Sequence, residues 1–227
     1  MRWRCYNTPE VIPVVKLGNV VILGDSYSTF LNCIPEGYSC WYNLTPQRDT
    51  DVYKVEETWW HQLMSNTESK LIHNNSWSGS TVCHRGYNGD DVIHNSFVTR
   101  FDQLAEKGFF DENKVDTFII FGATNDNWAN SPLGQLQYEN WTTEDLYNAL
   151  PAFCYLLHRA KEVLPQSRIL WIINTEFRPE VQNGLLEACN HYGIESIVLQ
   201  DIEKQSGHPN KAGMHQIYEQ VKAYLEK

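Results

Sequence analysis

The chain has 227 residues, of which 42% are hydrophobic and 20% are charged, so it is long enough for one α/β domain with a sizeable buried core. Its formal net charge of -10 has the wrong sign for a phosphate backbone, which argues against nucleic acid as a partner. No apolar run approaches the roughly 20 residues that span a bilayer, and no signal-peptide segment is found, so we expect no membrane partner and a cytoplasmic location.

Five short apolar runs predict the strands of one sheet. Each run is continuously apolar rather than alternating, which is typical of a parallel strand covered on both faces. A glycine or a polar block closes the first three runs. The predicted strands lie at 20–23, 71–72, 118–121, 169–173 and 197–199.

Segments with helical periodicity lie between these runs. They are centred on 58–65, 97–107, 143–164, 181–192 and 214–225. Pro151 falls inside the third segment and should kink or split it. The alternation of strands and helices predicts right-handed βαβ units, and hence a three-layer α/β/α sandwich on a flavodoxin-like, five-stranded parallel sheet. We expect residues 1–227 to form this single domain.

Two connections, 27–56 and 122–142, are longer than simple turns, and long connections in compact domains are usually functional or disordered. Both follow the carboxyl ends of predicted strands, where open α/β sheets bind ligands. Both are rich in aromatic residues. We therefore expect them to form the walls of one cleft, with Trp41, Tyr42 and Trp128 contacting the substrate.

Four short motifs occur at strand ends or before the last helix. Ser26 stands in Gly-Asp-Ser after the first strand, and Gly79 closes the Asn-Asn-Ser-Trp-Ser-Gly block after the second. Asn125 lies in Gly-Ala-Thr-Asn-Asp after the third strand, and His208 lies in Gly-His-Pro-Asn before the final helix. Taken singly, each motif is also what a turn or a helix cap requires.

In this order and at these positions, the four motifs resemble those of the SGNH/GDSL hydrolase superfamily, and the resemblance covers essentially the whole chain. The resemblance implies that Ser26 is the nucleophile and His208 its general base. It also implies an oxyanion hole made by the backbone N–H groups of Ser26 and Gly79 and the side-chain amide of Asn125. These roles agree with the chemistry, because a serine hydroxyl is a poor nucleophile until an adjacent base removes its proton.

One position departs from the family pattern. The family places an aspartate three residues before the histidine, and this chain has Gln205 there. Three interpretations are open: Asp201 or Glu203 reaches His208 through a rearranged loop, a carbonyl orients His208 in a Ser-His dyad, or catalysis is lost. We favour a dyad, with Asp201 as its candidate third member, because the acid is the least costly member to lose in a characterised triad.

The resulting hypothesis is a serine hydrolase that cleaves carboxylic esters through an acyl-serine intermediate. We expect its partner to be a small-molecule ester or an acylated carbohydrate, with acetyl as the favoured acyl group. The alternative is a carbohydrate-binding protein without catalytic activity, which Gln205 and the tryptophans suggest. No metal is expected. The candidate ligands His61, His73, His84 and His94 show neither the HxH nor the HExxH spacing of metal sites. No cofactor is expected either, because no glycine-rich phosphate loop follows the first strand.

Overall fold

The five predicted strands form one parallel sheet. A computed structural model describes residues 15–44 and 49–227, and within them the strands lie in the order β2-β1-β3-β4-β5. The strands are β1 (Lys16–Gly24), β2 (Glu68–Ser76), β3 (Thr117–Phe121), β4 (Arg168–Ile173) and β5 (Glu195–Val198). Their parallel pairing confirms the flavodoxin-like sheet.

Helices cover both faces of the sheet, and this confirms the three-layer α/β/α sandwich. The helices are α1 (Trp59–Ser65), α2 (Phe97–Glu106), α3 (Phe109–Glu112), α4 (Thr124–Trp128), α5 (Ala149–Val163), α6 (Pro179–Tyr192) and α7 (Lys211–Leu225). Side chains of α2, α5 and α6 share one hydrophobic core, and those of α1 and α7 share the other.

The central strands β1, β3 and β4 carry continuous apolar runs because both of their faces are buried there. In β1, Val21 and Leu23 face the core that includes α2, whereas Val20 and Ile22 face the core that includes α1. All five residues of β3 are buried. Continuous rather than alternating hydrophobicity is therefore what this position in the fold requires.

The segment predicted as one long helix over 143–164 is divided, but not at Pro151. A 3-10 turn occupies Asp145–Tyr147, and α5 begins separately at Ala149. Pro151 is the third residue of α5, in the first turn, where N–H groups have no partner inside the helix. The proline therefore lies where its missing donor does no harm, and α5 runs on past it to Val163.

The candidate site lies where the chain order of the strands reverses, between β1 and β3. In open α/β sheets, ligands bind outside the carboxyl ends of strands at such a point. The last residues of these two strands, Gly24 and Phe121, are paired with each other. Gly122 follows directly, and a Cβ there would overlap the ring of Phe97, so a larger residue would force that ring to move.

The two long connections differ from each other in structure. The 27–56 connection has only 3-10 turns at its two ends in the part that the structure describes. The 122–142 connection begins with the short helix α4. A two-stranded antiparallel ribbon, β6 (Lys204–Gln205) and β7 (His208–Pro209), precedes α7. Among the helices in the described residues, none is long and apolar enough to cross a bilayer.

Candidate active site

Ser26 follows β1 directly and begins a 3-10 turn, Ser26–Ser28. Asp25 caps this turn, because its Oδ1 accepts a hydrogen bond of 3.0 Å from the Tyr27 N–H. Asp25 is fully buried, and burial raises the pKa of its carboxyl group to about 7. The aspartate of the Gly-Asp-Ser motif therefore shapes the backbone that presents the serine.

His208 lies opposite Gln205 in the β6–β7 ribbon and reaches Ser26 with its outer ring nitrogen. The distance from His208 Nε2 to Ser26 Oγ is 2.9 Å. The residues between the two strands, Ser206 and Gly207, have φ values of 50° and 77°. Positive φ at both central residues is typical of the tight two-residue turns that join hairpin strands. The Ser-Gly dipeptide thus sets the position of His208.

The other ring nitrogen of His208 fixes the direction of the hydrogen bond to Ser26. His208 Nδ1 lies 3.1 Å from the backbone carbonyl oxygen of Ser206. A carbonyl can only accept, so Nδ1 carries the proton of the neutral ring. Nε2 is then an acceptor, and the Ser26 hydroxyl donates to it. This tautomer is the one that a general base requires.

The structure does not bring Asp201 to His208. Asp201 and Glu203 are both exposed, and no hydrogen bond or ion pair between described residues joins either carboxylate to the histidine. The prediction that Asp201 joins Ser26 and His208 as a third member is therefore wrong. The Ser206 carbonyl occupies the position that a carboxylate would take beside Nδ1.

A carboxylate does reach the ribbon, but at the neighbouring residues. Asp49 Oδ1 accepts a hydrogen bond of 2.5 Å from Gln205 Nε2, and Asp49 Oδ2 accepts one of 2.5 Å from Ser206 Oγ. Asp49 thus holds both residues that precede Gly207. The sequence analysis did not identify Asp49, because nothing in the local sequence distinguishes it from other acidic loop residues.

Two tyrosines of the 27–56 connection hold the rest of the ribbon. The Tyr27 hydroxyl donates to the Gly207 carbonyl at 2.7 Å, and the Tyr42 hydroxyl donates to the Pro209 carbonyl at 2.8 Å. Tyr42 is fully buried, so its predicted role as a substrate contact is wrong. Burial also raises the pKa of Tyr42, which keeps its hydroxyl protonated as a donor.

The two tryptophans predicted to line the cleft both contact His208. The Trp41 ring lies flat against the imidazole, with ring centres 3.4 Å apart and planes 8° apart. Trp128 meets the imidazole edge-on at 5.8 Å and is 37% exposed. Trp41 is thus a partner of His208 itself, and Trp128 presents a face to solvent beside the dyad.

The three predicted oxyanion donors follow three adjacent strands. Gly79 lies in the turn after β2 with a φ of 84° and is exposed. Among the described residues, no acceptor takes the backbone N–H of Ser26 or of Gly79. Both groups are therefore available to a ligand.

Hydrogen bonds fix the orientation of the Asn125 side-chain amide. Asn125 Nδ2 donates to the Ser80 carbonyl at 2.9 Å, which leaves its second hydrogen available. The Tyr87 hydroxyl donates to Asn125 Oδ1 at 2.7 Å. Burial raises the pKa of Tyr87 to about 12, so this hydroxyl stays protonated. The contact of Tyr87 with Asn125 was not predictable from sequence, since Tyr87 lies in the 77–96 connection outside the four motifs.

The aspartate that follows Asn125 serves the backbone rather than a reacting group. Asp126 accepts hydrogen bonds from the Val82 N–H at 2.8 Å and the Cys83 N–H at 3.1 Å. It thereby ties the end of β3 to the segment after Gly79. No group of three or more His, Cys, Asp or Glu side chains in residues 15–44 and 49–227 is arranged to hold a metal ion.

The sequence model of the GDSL-like lipase/acylhydrolase family matches residues 18–225. The chain belongs to this family. Two similar crystal structures are of Bacteroides proteins assigned as GDSL-like lipases. The one from Bacteroides ovatus is 44% identical, with a TM-score of 0.87 over 92% of this chain and 98% of that one. The one from Bacteroides uniformis is 46% identical, with a TM-score of 0.85 over 91% of this chain and 94% of that one.

More distant structures share the fold of this family member. An acetyl xylan esterase from the rumen bacterium Butyrivibrio proteoclasticus is 15% identical, with a TM-score of 0.56 over 93% of this chain and 64% of that one. No protein with a curated description matches the chain in sequence.

The buried hydroxyl of Tyr42 generates a prediction about stability. We expect Tyr42→Phe to lower the free energy of unfolding by about 1–2 kcal/mol, because the Pro209 carbonyl loses a buried donor. The Tyr147 hydroxyl binds Asp91 at an exposed position, so we expect Tyr147→Phe to change stability by no more than about 0.5 kcal/mol. Urea denaturation measures both, and equal stabilities of the two variants would contradict the role given to Tyr42.

Proposed function

We propose that the protein cleaves carboxylic esters through an acyl-serine intermediate, with Ser26 as nucleophile and His208 as general base. The observation that carries the proposal is the 2.9 Å contact between Ser26 Oγ and His208 Nε2, in a tautomer that leaves Nε2 as the acceptor. Family membership supports ester hydrolysis in general. The serine mechanism and the substrate class are what we add to it.

In the first half-reaction, Ser26 Oγ attacks the ester carbonyl carbon while its proton passes to His208 Nε2. The tetrahedral intermediate collapses when the carbon–oxygen bond to the alcohol breaks, and His208 returns the proton to that oxygen. In the second half-reaction, a water molecule gives its proton to His208 and attacks the acyl-serine. The second tetrahedral intermediate collapses when the bond between the acyl carbon and Ser26 Oγ breaks, and His208 returns its proton to Oγ as the carboxylic acid leaves. No cofactor takes part in this sequence.

The developing oxyanion would be bound by the N–H groups of Ser26 and Gly79 and by the second amide hydrogen of Asn125. Support comes from the two N–H groups that no described acceptor takes and from the fixed Asn125 amide. Removing one such donor typically costs about 10²–10³ in rate.

Among the described residues, no carboxylate meets His208 Nδ1, so other groups must stabilise the imidazolium that forms on His208. In this proposal the Ser206 carbonyl accepts a hydrogen bond from Nδ1–H throughout the reaction, and Trp41 presents its π face to the cationic ring. A cation over tryptophan gains about 0.5–2 kcal/mol, depending on how far it is desolvated. These two contacts take the place of the acid of a triad.

We propose an acylated carbohydrate, with a small acyl group such as acetyl, as the substrate class. Two large aromatic side chains are exposed on either side of the dyad: Trp128 beside His208 and Tyr87 beside Asn125. Trp77 and Tyr38, whose ring centres are 4.2 Å apart, lie in the segments before Gly79 and after Ser26. Aromatic side chains around Ser26 and His208 could stack against a sugar ring, which supports this substrate class. The shared fold of an acetyl xylan esterase is consistent with this substrate. We also propose a cytoplasmic location.

Replacement of either member of the dyad tests the mechanism. We expect Ser26→Ala and His208→Ala each to reduce the hydrolysis of p-nitrophenyl acetate to the background rate, because the nucleophile or its base is lost. The exposed Ser39→Ala should match the wild type. Persistent activity in Ser26→Ala would contradict the proposal.

A fluorophosphonate probe separates this enzyme from the second candidate, a carbohydrate-binding protein without activity. Covalent labelling of wild type but not of Ser26→Ala is the result expected for the enzyme. An unlabelled Ser26 in a protein that binds acetylated xylan would favour the binding protein.

Replacement of Trp41 distinguishes a contact with His208 from a contact with substrate. We expect Trp41→Leu to lower kcat for p-nitrophenyl acetate about 10-fold with little change in KM, since about 1.4 kcal/mol of imidazolium stabilisation corresponds to that factor. Trp41→Phe should recover part of the rate, because a ring remains to stack. Leu44→Ala, in the same connection, serves as the control. A rise in KM with kcat intact would instead indicate a substrate contact.

Asp49 should affect catalysis through the ribbon that carries His208. We expect Asp49→Ala to lower kcat about 5–10-fold, because Gln205 and Ser206 lose their shared acceptor and the Ser206 carbonyl is held less well. Glu36→Ala removes an exposed carboxylate from the same connection and should leave kcat unchanged. Equal kcat values for the two variants would show that Asp49 plays no part in placing His208.

A further inference from the structure

Arg100 is a buried arginine on α2 that belongs to none of the four motifs. Its side chain is 1% exposed, although arginine is rarely buried unless it is paired. All of its side-chain nitrogens donate hydrogen bonds. The acceptors are the carbonyl oxygens of Asn95, Asn75 and Gly24, the side-chain oxygen of Asn75 and Ser80 Oγ.

This guanidinium has no ion-pair partner among the described residues. It lies 4.5 Å from the centre of the Phe97 ring. Burial lowers the pKa of Arg100 to about 9, with Asp25 opposing that shift, so the group is still cationic at neutral pH. Keeping a cation without a carboxylate partner inside a protein is energetically costly, because the charge loses its hydration. A buried methionine would fill similar space without that cost, so the arginine needs another reason.

The acceptors of Arg100 lie next to the predicted oxyanion donors. Gly24, whose carbonyl is 3.2 Å from Nη2, stands two residues before Ser26. Ser80, whose Oγ is 2.9 Å from the same nitrogen, directly follows Gly79. The carbonyl of Ser80 in turn accepts from Asn125 Nδ2. Arg100 Nη2 therefore links the segment that carries Ser26 to the segment that carries Gly79. Through Ser80 it also bears on the third predicted donor, the Asn125 amide.

The second terminal nitrogen fixes the end of the neighbouring strand. Arg100 Nη1 donates to both the carbonyl and the side-chain oxygen of Asn75, which is the next-to-last residue of β2 and part of the block that ends at Gly79. The planar fork of arginine makes these contacts in fixed relative directions, which a lysine ammonium does not. The carboxyl ends of β1 and β2 are thus set by one rigid group.

We propose that Arg100 is a positioning residue for the oxyanion hole, holding the donors of Ser26, Gly79 and Asn125 at the spacing that a tetrahedral intermediate requires. This inference rests on the proposed function. Donors stabilise an oxyanion when they lie about 2.7–3.1 Å from the position it will occupy. A misplacement on the order of 1 Å can cost about 100-fold in rate.

The test compares Arg100→Lys and Ser80→Ala with wild type. Ser80→Ala keeps Arg100 and removes one of its acceptors, together with the hydrogen bond from Ser80 Oγ to the Trp77 carbonyl. Wild-type kinetics in this variant would therefore count against the inference even if Arg100→Lys fails to fold. Arg168 pairs with Glu195 at the opposite end of the sheet, so Arg168→Lys is the control. Each variant is assayed with p-nitrophenyl acetate for kcat and KM. Each is also assayed for inhibition by butaneboronic acid, whose boron accepts Ser26 Oγ to give a tetrahedral adduct.

For Arg100→Lys and Ser80→Ala we expect kcat to fall about 10- to 100-fold while KM stays within about twofold. The inhibition constant of the boronic acid should rise by a similar factor, because the adduct needs the same donors. A merely structural role would not couple these two quantities. Wild-type values of kcat and inhibition in folded Ser80→Ala and Arg100→Lys overturn the inference. Activity that survives in Ser26→Ala would instead overturn the proposed function, so the two failures are distinguishable.

Discussion

The hydrogen bond between Ser26 Oγ and His208 Nε2 joins two positions 182 residues apart in the chain. It forms only if the end of β1 and the β6–β7 ribbon are both placed accurately. The structure meets this requirement from one side: Tyr27, Tyr42 and Asp49, all in the connection after β1, hold the ribbon at three points. A two-stranded ribbon is marginal on its own in water. The segment that follows Ser26 therefore also supports the ribbon that carries His208.

The absence of an acid at position 205 becomes understandable in this arrangement. Gln205 donates a hydrogen bond to Asp49. An aspartate at position 205 could not donate this bond, and its charge would repel that of Asp49. The carbonyl of Ser206 accepts a hydrogen bond from His208 Nδ1–H, and Trp41 stacks on the ring. In the proposed mechanism, the orientation and charge stabilisation that one aspartate provides in a triad are divided among the Ser206 carbonyl, the Trp41 indole and the Asp49 carboxylate. The oxyanion side is built in a similar way, with Arg100 and Tyr87 acting on the donors from outside the motifs.

The frame of the site was predictable from sequence because its parts depend on regular structure. Continuous apolar runs located all five strands, and Ser26, Gly79 and Asn125 each follow a strand, so adjacent strands bring them together. The connections were less predictable, since an aromatic residue such as Tyr42 suits a cleft wall and a core equally well. Asp201 is near His208 in sequence, but the ribbon leaves it exposed on another side. The Ser206-Gly207 dipeptide was a readable signal for a tight hairpin, and it would have argued against a loop that folds Asp201 back to the histidine.

The central claim is that Ser26 carries the acyl group during turnover. The most direct test is to mix the wild-type protein with p-nitrophenyl acetate, quench with acid at successive millisecond times and identify the acylated peptide by mass spectrometry. The account predicts one acetyl group on the peptide that contains Ser26, at Ser26 itself, and none in the Ser26→Ala variant. Turnover with Ser26 unmodified at every quench time, or with acetyl carried by another residue, would contradict it.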